Sequence, residues 1–175
     1  MSVLFKKVKV RKTIADRRRM LRDSLWPGAT KIVWTRHTDD GYSTVPRTIP
    51  MIMTLINLLE KNVDASRVYG ELWSRVSDEG FIEMVDEDEH AYACGYVTPR
   101  SARSWQERMD VLVDLGFIKA KPKAGWKYGY VLLVHPHDVV ETLMKTRGKD
   151  IPEGWRSLYL QRLAQIGARP GKAVK

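Results

Sequence analysis

An α+β fold, mainly helical, is what this sequence predicts, and three observations carry the expectation. Several stretches place apolar residues three or four apart between a capping residue and a glycine or proline, which is the period of an amphipathic helix. Shorter runs of β-branched and aromatic residues, bounded by turn residues, have the length of strands. A chain of 175 residues, 43% of them hydrophobic, is long enough for one buried core with appendages and too short for two large domains.

Residues 13–25 read as a helix capped by Thr13, with Ile14, Leu21 and Leu25 as a thin apolar stripe among Arg17, Arg18, Arg19 and Arg22. Pro27 and Gly28 stop it. Residues 31–36 and 42–45 flank Thr38-Asp39-Asp40-Gly41, a hairpin signal, so residues 1–47 are expected to be a basic N-terminal extension of one helix and one hairpin. Thr48 can cap a second helix that tolerates Pro50 in its first turn, and residues 51–59 are apolar on nearly every side, as in a buried helix. A third starts at Asp64 or Ser66 with Val68, Leu72, Trp73 and Val76 inward, and residues 81–85 form a short strand.

Residues 86–94 are expected to be a short helix, with acids in its first turn where the helix dipole favours them, closed by Gly95. Thr98 as cap and Pro99 at the first helical position open the longest helix, residues 99–115, which Gly116 ends. Its inward positions are Ala102, Trp105, Met109, Leu112 and Leu115. Residues 117–121 and 128–134 are strands around a loop, Pro122 to Trp126, and Trp126 is expected to pack on its own strands. His135-Pro136 starts a further helix with Val139, Val140, Leu143 and Met144 on its apolar side. Residues 153–166 carry a last stripe of Trp155, Leu158, Tyr159, Leu163 and Ile166, followed by a frayed basic end. The expected division is an extension at 1–47, a central domain at 48–147, and a C-terminal amphipathic helix and basic tail at 148–175.

No run of apolar residues is long enough to cross a bilayer, and the first 12 residues lack the form of a secretory signal, so a cytoplasmic, nucleoid-associated protein without a membrane partner is expected. The single cysteine, Cys94, agrees with a reducing compartment. A net charge of +9 points to a polyanionic partner, since Lys and Arg gain affinity by displacing the counterions of phosphates. The charge is unevenly spread: residues 1–25 hold nine Lys or Arg against two Asp, and residues 71–90 hold eight acids against one Arg.

The order helix, short strand, short helix, turn, long helix, strand, loop, strand, with the joint Ala91-Tyr92-Ala93-Cys94-Gly95-Tyr96-Val97-Thr98-Pro99-Arg100-Ser101-Ala102-Arg103-Ser104-Trp105, resembles the winged helix-turn-helix DNA-binding superfamily. The likeness runs on through Met109, Leu112 and Leu115-Gly116-Phe117-Ile118. Bacterial winged-helix regulators and plasmid or phage replication initiators end the recognition helix and begin the wing on a similar leucine-glycine-aliphatic signature. The resemblance spans about residues 66–134 and implies sequence-specific binding of double-stranded DNA, in transcription regulation or in plasmid or phage replication or partition.

On this reading Arg100, Ser101, Arg103, Ser104 and Arg108 face the major groove, where Arg can bind guanine through two hydrogen bonds. Lys119, Lys121, Lys123 and Lys127 on the wing meet phosphates, or else protect a strand edge. Arg17 and Arg18 are an accessory phosphate-binding arm, or an ordinary solvated face. The stripe at 155–166 either pairs two copies as a homodimer or folds back on its own chain. Two alternatives stay open: a protein-interaction module whose acidic residues 71–89 dock a basic partner, and an RNA-binding protein. Catalysis is not expected. Asp86 to Glu89 are consecutive and fan around a helix, His135, His137 and Cys94 lack zinc-site spacing, and no phosphate-binding glycine loop is present, so no metal or cofactor is expected.

Overall fold

The computed structural model describes residues 13–76 and 79–171. The alternating start at 1–12, Asp78 of the acidic segment and the last four residues of the basic end lie outside them. The chain divides into two compact units, residues 1–42 and 43–175.

In the first unit, α1 (Ile14–Leu25) is capped as expected: the Thr13 hydroxyl accepts from the Asp16 amide, and the Asp16 carboxylate accepts from the Thr13 amide at 2.9 Å. The bonds from Thr13 and Arg19 hold that exposed carboxyl at about 2, below its ordinary range. The expected hairpin does not form. Residues 29–31 are a turn of 3-10 helix, and the Asp39 carboxylate closes a turn by accepting from the Thr35 amide at 2.7 Å. An isolated two-stranded ribbon is marginal in water, and neither a third strand nor a core is available to it among the described residues 13–42. A local carboxylate bond and the edge-to-face contact of Trp34 with Tyr42 take its place.

The second unit contains α2 (Ile49–Leu59), α3 (Ser66–Arg75), β1 (Phe81–Glu83), α4 (Glu87–Ala93), α5 (Ser101–Asp114), β2 (Ile118–Lys123), β3 (Trp126–Leu133), α6 (Pro136–Thr146) and α7 (Glu153–Ile166). The sheet is antiparallel with β3 central, in the order β1-β3-β2. One apolar cluster fills the unit: Ile52, Leu55 and Ile56 from α2, Val68, Tyr69 and Leu72 from α3, Trp105, Met109 and Leu112 from α5, with the inner face of the sheet and α6. Each large side chain so buried contributes roughly 1.5–3 kcal/mol of transfer free energy.

Three details depart from the sequence reading. Thr48 does not cap α2; it is helical itself, and its hydroxyl is bonded to the ring of the buried His137 at 2.8 Å. The long helix starts at Ser101, two residues later than expected, because Pro99 and Arg100 sit in a turn closed by the bond from the Ser101 amide to the Thr98 carbonyl. Arg100 is its cap residue and offers no side-chain acceptor. In α7 the buried stripe is Trp155, Tyr159 and Leu163, while Leu158 points to solvent. The Trp155 indole donates to the Met51 carbonyl of α2 at 3.0 Å, and Tyr159 lies edge-on to His137 of α6. The C-terminal helix therefore shares the core of residues 48–147, and Trp155, Tyr159 and Leu163 of the stripe invoked for pairing two copies are covered within their own chain.

The β2–β3 connection is tighter than the expected five-residue loop. Lys123 pairs with Trp126 across Ala124 and Gly125, both at positive φ (44° and 93°), a two-residue turn whose twist matches the strands. Behind it the pairing slips between Lys121 and Lys123. Gly129 makes this passage possible, since a Cβ there would lie 2.0 Å from the Cβ of Lys123.

Candidate functional site

The α4-turn-α5 joint is held by polar bonds as well as apolar packing. Asp86 caps α4 by accepting from the Asp88 amide at 2.9 Å, and Gly95 takes the left-handed conformation that ends the helix region. His90 is buried against α3 and α5. Its Nδ1 is 3.0 Å from the Glu71 carboxylate, whose other neighbour is the Arg75 guanidinium at 2.6 Å, and its ring stacks on Trp105. Arg75 reaches on to Glu89 at 2.9 Å, and Gln106 of α5 donates to Glu87 of α4 at 2.6 Å. Glu71, Glu83, Glu87 and Glu89 are all engaged with partners inside the protein, so the acidic segment is much less of an open face than its composition suggested.

The candidate reading residues lie on one end of α5 but are not equivalent. Arg100 is exposed, and Arg103 is exposed at 80% of its side chain with only a loose contact to Glu107 at 3.5 Å. Ser101 and Ser104 are half-buried. Arg108 is committed elsewhere: only 20% exposed, it donates to the Ser104 carbonyl at 2.7 Å and covers the Tyr96 ring at 4.8 Å, so it braces the turn. The first turn of α5 contains no acid, whereas that of α4 contains three. Arg100 and Arg103 thus sit at the positive end of a helix dipole, where a cation is locally unfavourable and an incoming anion favourable.

On the hairpin, Lys119 and Lys121 are exposed and make no ion pair among the described residues. Lys123 is bonded to Glu83 of β1, which raises its pKa, and Lys127 pairs with Asp110 of α5 at 2.5 Å. Asp110 also accepts from the Tyr128 hydroxyl. Burial works to raise the Asp110 carboxyl, but the bonds from Lys127 and Tyr128 outweigh it and hold it below the usual range. The start of β3, just past the turn, is thereby strapped to the middle of α5. Trp126 is 37% exposed beside the turn. Arg17 and Arg18 are exposed on α1 in the other unit and make no ion pair among the described residues.

Sequence reasoning missed Asp110, Glu83 and the Glu71–Arg75–His90 cluster, whose members come together across 17, 40 and 19 residues of chain. No local period reports such pairs. Among the described residues no group of three or more His, Cys, Asp or Glu is placed to hold a metal ion, and no helix is long and apolar enough to cross a membrane. His137 is bonded to Thr48, and Cys94 is buried, which pushes its thiol up to about 12. Compared with protein-family models, with curated proteins and with solved structures, the chain matches none.

Proposed function

We propose that the second unit is a winged helix-turn-helix that binds double-stranded DNA, with α4 and α5 as the helix pair, α5 as the reading helix and the β2–β3 hairpin as the wing. The element order and the β1-β3-β2 sheet support the architecture. The observation that carries the function is the cationic, acid-free first turn of α5. Arg100 and Arg103 work against the helix there, a local conflict that a bound phosphate or guanine resolves. Arg103 is the principal base reader and Arg100 its neighbour, with Ser101 and Ser104 bonding phosphate or base edges. Arg108 positions the turn. Lys119 and Lys121 are the wing's available phosphate contacts, and Arg17 and Arg18 add sequence-independent attraction. Binding, not catalysis, is the proposed activity, in transcription control or in replication or partition. Pairing through α7 is not part of the proposal, because Trp155, Tyr159 and Leu163 are already covered.

The test is selection of preferred duplexes from a randomised pool, followed by anisotropy titrations with Arg103→Ala and with Arg100→Ala/Arg103→Ala. The single variant should lose about 1–3 kcal/mol on the preferred site and relax one base position, with unchanged thermal stability. A pool that yields no preferred sequence, or equal binding by the double variant, overturns the assignment of α5.

A further inference from the structure

The inner face of the sheet is buried in the core, and the outer face is left open to solvent. Alternation along the strands puts Ile82, Ile118, Val131 and Leu133 inward. The register then lines up two outward rows across the three strands: Phe81, Leu132 and Lys119 in one, and Glu83, Tyr130 and Lys121 in the other. Phe81 is 53% exposed and Leu132 43%, an apolar patch in register with Lys119. The rings of Phe81 and Tyr130 lie within 17° of parallel, with centroids 6.2 Å apart. Lys123 sits 5.6 Å from the Tyr130 centroid and neutralises Glu83, so the face carries three lysines against one acid. Lys119 and Lys121 run along the open edge of the sheet on β2.

We propose that this face binds a short stretch of single-stranded DNA, with unpaired bases stacked on Phe81 and Tyr130 and phosphates on Lys119 and Lys121. Two parallel aromatic plates with a row of ammonium groups beside them match a chain that alternates flat π-faces and negative charges. A duplex cannot use the plates, because its bases are already stacked and hidden. A basic partner is disfavoured by the lysines, and a purely apolar one leaves them unused. The choice of DNA over RNA rests on the duplex-binding reading above, since β2 and β3 are also the wing. The stacking platform itself does not depend on that reading.

The test uses the full chain with labelled oligo-dT of eight residues, oligo-U of the same length, and a mixed-sequence duplex, read by anisotropy at several salt concentrations. Phe81→Leu and Tyr130→Leu keep apolar bulk and remove the plates. Each should bind oligo-dT roughly five- to a hundredfold more weakly and the duplex within about twofold of wild type. Lys119→Gln/Lys121→Gln should lower the log–log salt slope for oligo-dT by about 1.4, or 0.7 per contact. Arg100→Ala/Arg103→Ala should leave oligo-dT binding intact, so a failure of the duplex reading is separable from a failure of this one. Circular dichroism confirms that the leucine variants are folded. Wild-type protein that ignores oligo-dT, or folded leucine variants that bind it as well as wild type does, overturn the proposal. Tighter binding of oligo-U overturns its assignment to DNA.

Discussion

Replacing Trp155 measures how far α7 belongs to the fold. The side chain is 8% exposed, its ring stacks on Tyr159 at 4.9 Å and 11°, and its indole donates to the Met51 carbonyl at 3.0 Å. Truncating a buried Trp to Ala costs roughly 3–5 kcal/mol, which already contains the lost stacking. Trp155→Phe keeps most of the ring and drops the hydrogen bond, at about 1–2 kcal/mol once the stranded carbonyl is counted. With a urea m-value of about 2 kcal/mol/M, the alanine variant's midpoint should fall by about 2 M and the phenylalanine variant's by about 0.5–1 M. Both curves, followed by circular dichroism, should be independent of protein concentration. Equal small shifts for the two variants refute the packing argument. A wild-type midpoint that rises with protein concentration does so as well, because mass action then assigns the stripe to a second copy.

Burial, with His135 nearby, lowers the pKa of His137, whose ring also faces Thr48 and Tyr159. A depressed folded pKa means stability that is complete above the ordinary value of about 6.5 and is lost as pH falls below it towards the folded value. Wild type should therefore lose more stability than His137→Gln between pH 7.5 and 5.5, and parallel losses in urea melts count against this. In the wing turn, Ala124 holds φ at 44°, a left-handed conformation that Asn tolerates better, so Ala124→Asn should stabilise by about 0.5–1 kcal/mol and raise the melting temperature by a few degrees. A lowered melting temperature would show that the turn is not the two-residue type assigned.

Elements governed by neighbouring residues are legible in the sequence. Thr13 as a cap, the short helix with acids in its first turn, the run of α7 from Glu153 to Ile166 and the inward set Trp105, Met109 and Leu112 all follow from spacing and caps. The errors have two sources, a distant contact that overrides a local signal and a local turn that the residue pattern does not report. Thr48 looks like a cap, but His137, 89 residues on, takes its hydroxyl. Residues 31–45 look like a hairpin, yet among the described residues no third strand pairs with it. Tyr69 went unnoticed beside Val68, although it lies fully buried against Phe117. At the candidate site the arginines and lysines themselves were readable, but their availability was not, because whether a lysine is open or already spoken for depends on acids such as Asp110 and Glu83.

The bonds among Glu71, Arg75 and His90 differ in kind from the apolar packing around them. Packed methyl groups tolerate sliding, because their attraction has little direction, whereas a carboxylate shared by an imidazole and a guanidinium admits one relative placement of its helices. The pitch of α4 against α3, and through the Trp105 stack its pitch against α5, is therefore set by angular bonds that a change of core volume leaves alone. Divergence can resize the apolar neighbours one at a time. Glu71 and His90 can change only together, because losing either leaves the other buried without its bonding partner, whereas the half-exposed Arg75 keeps Glu89.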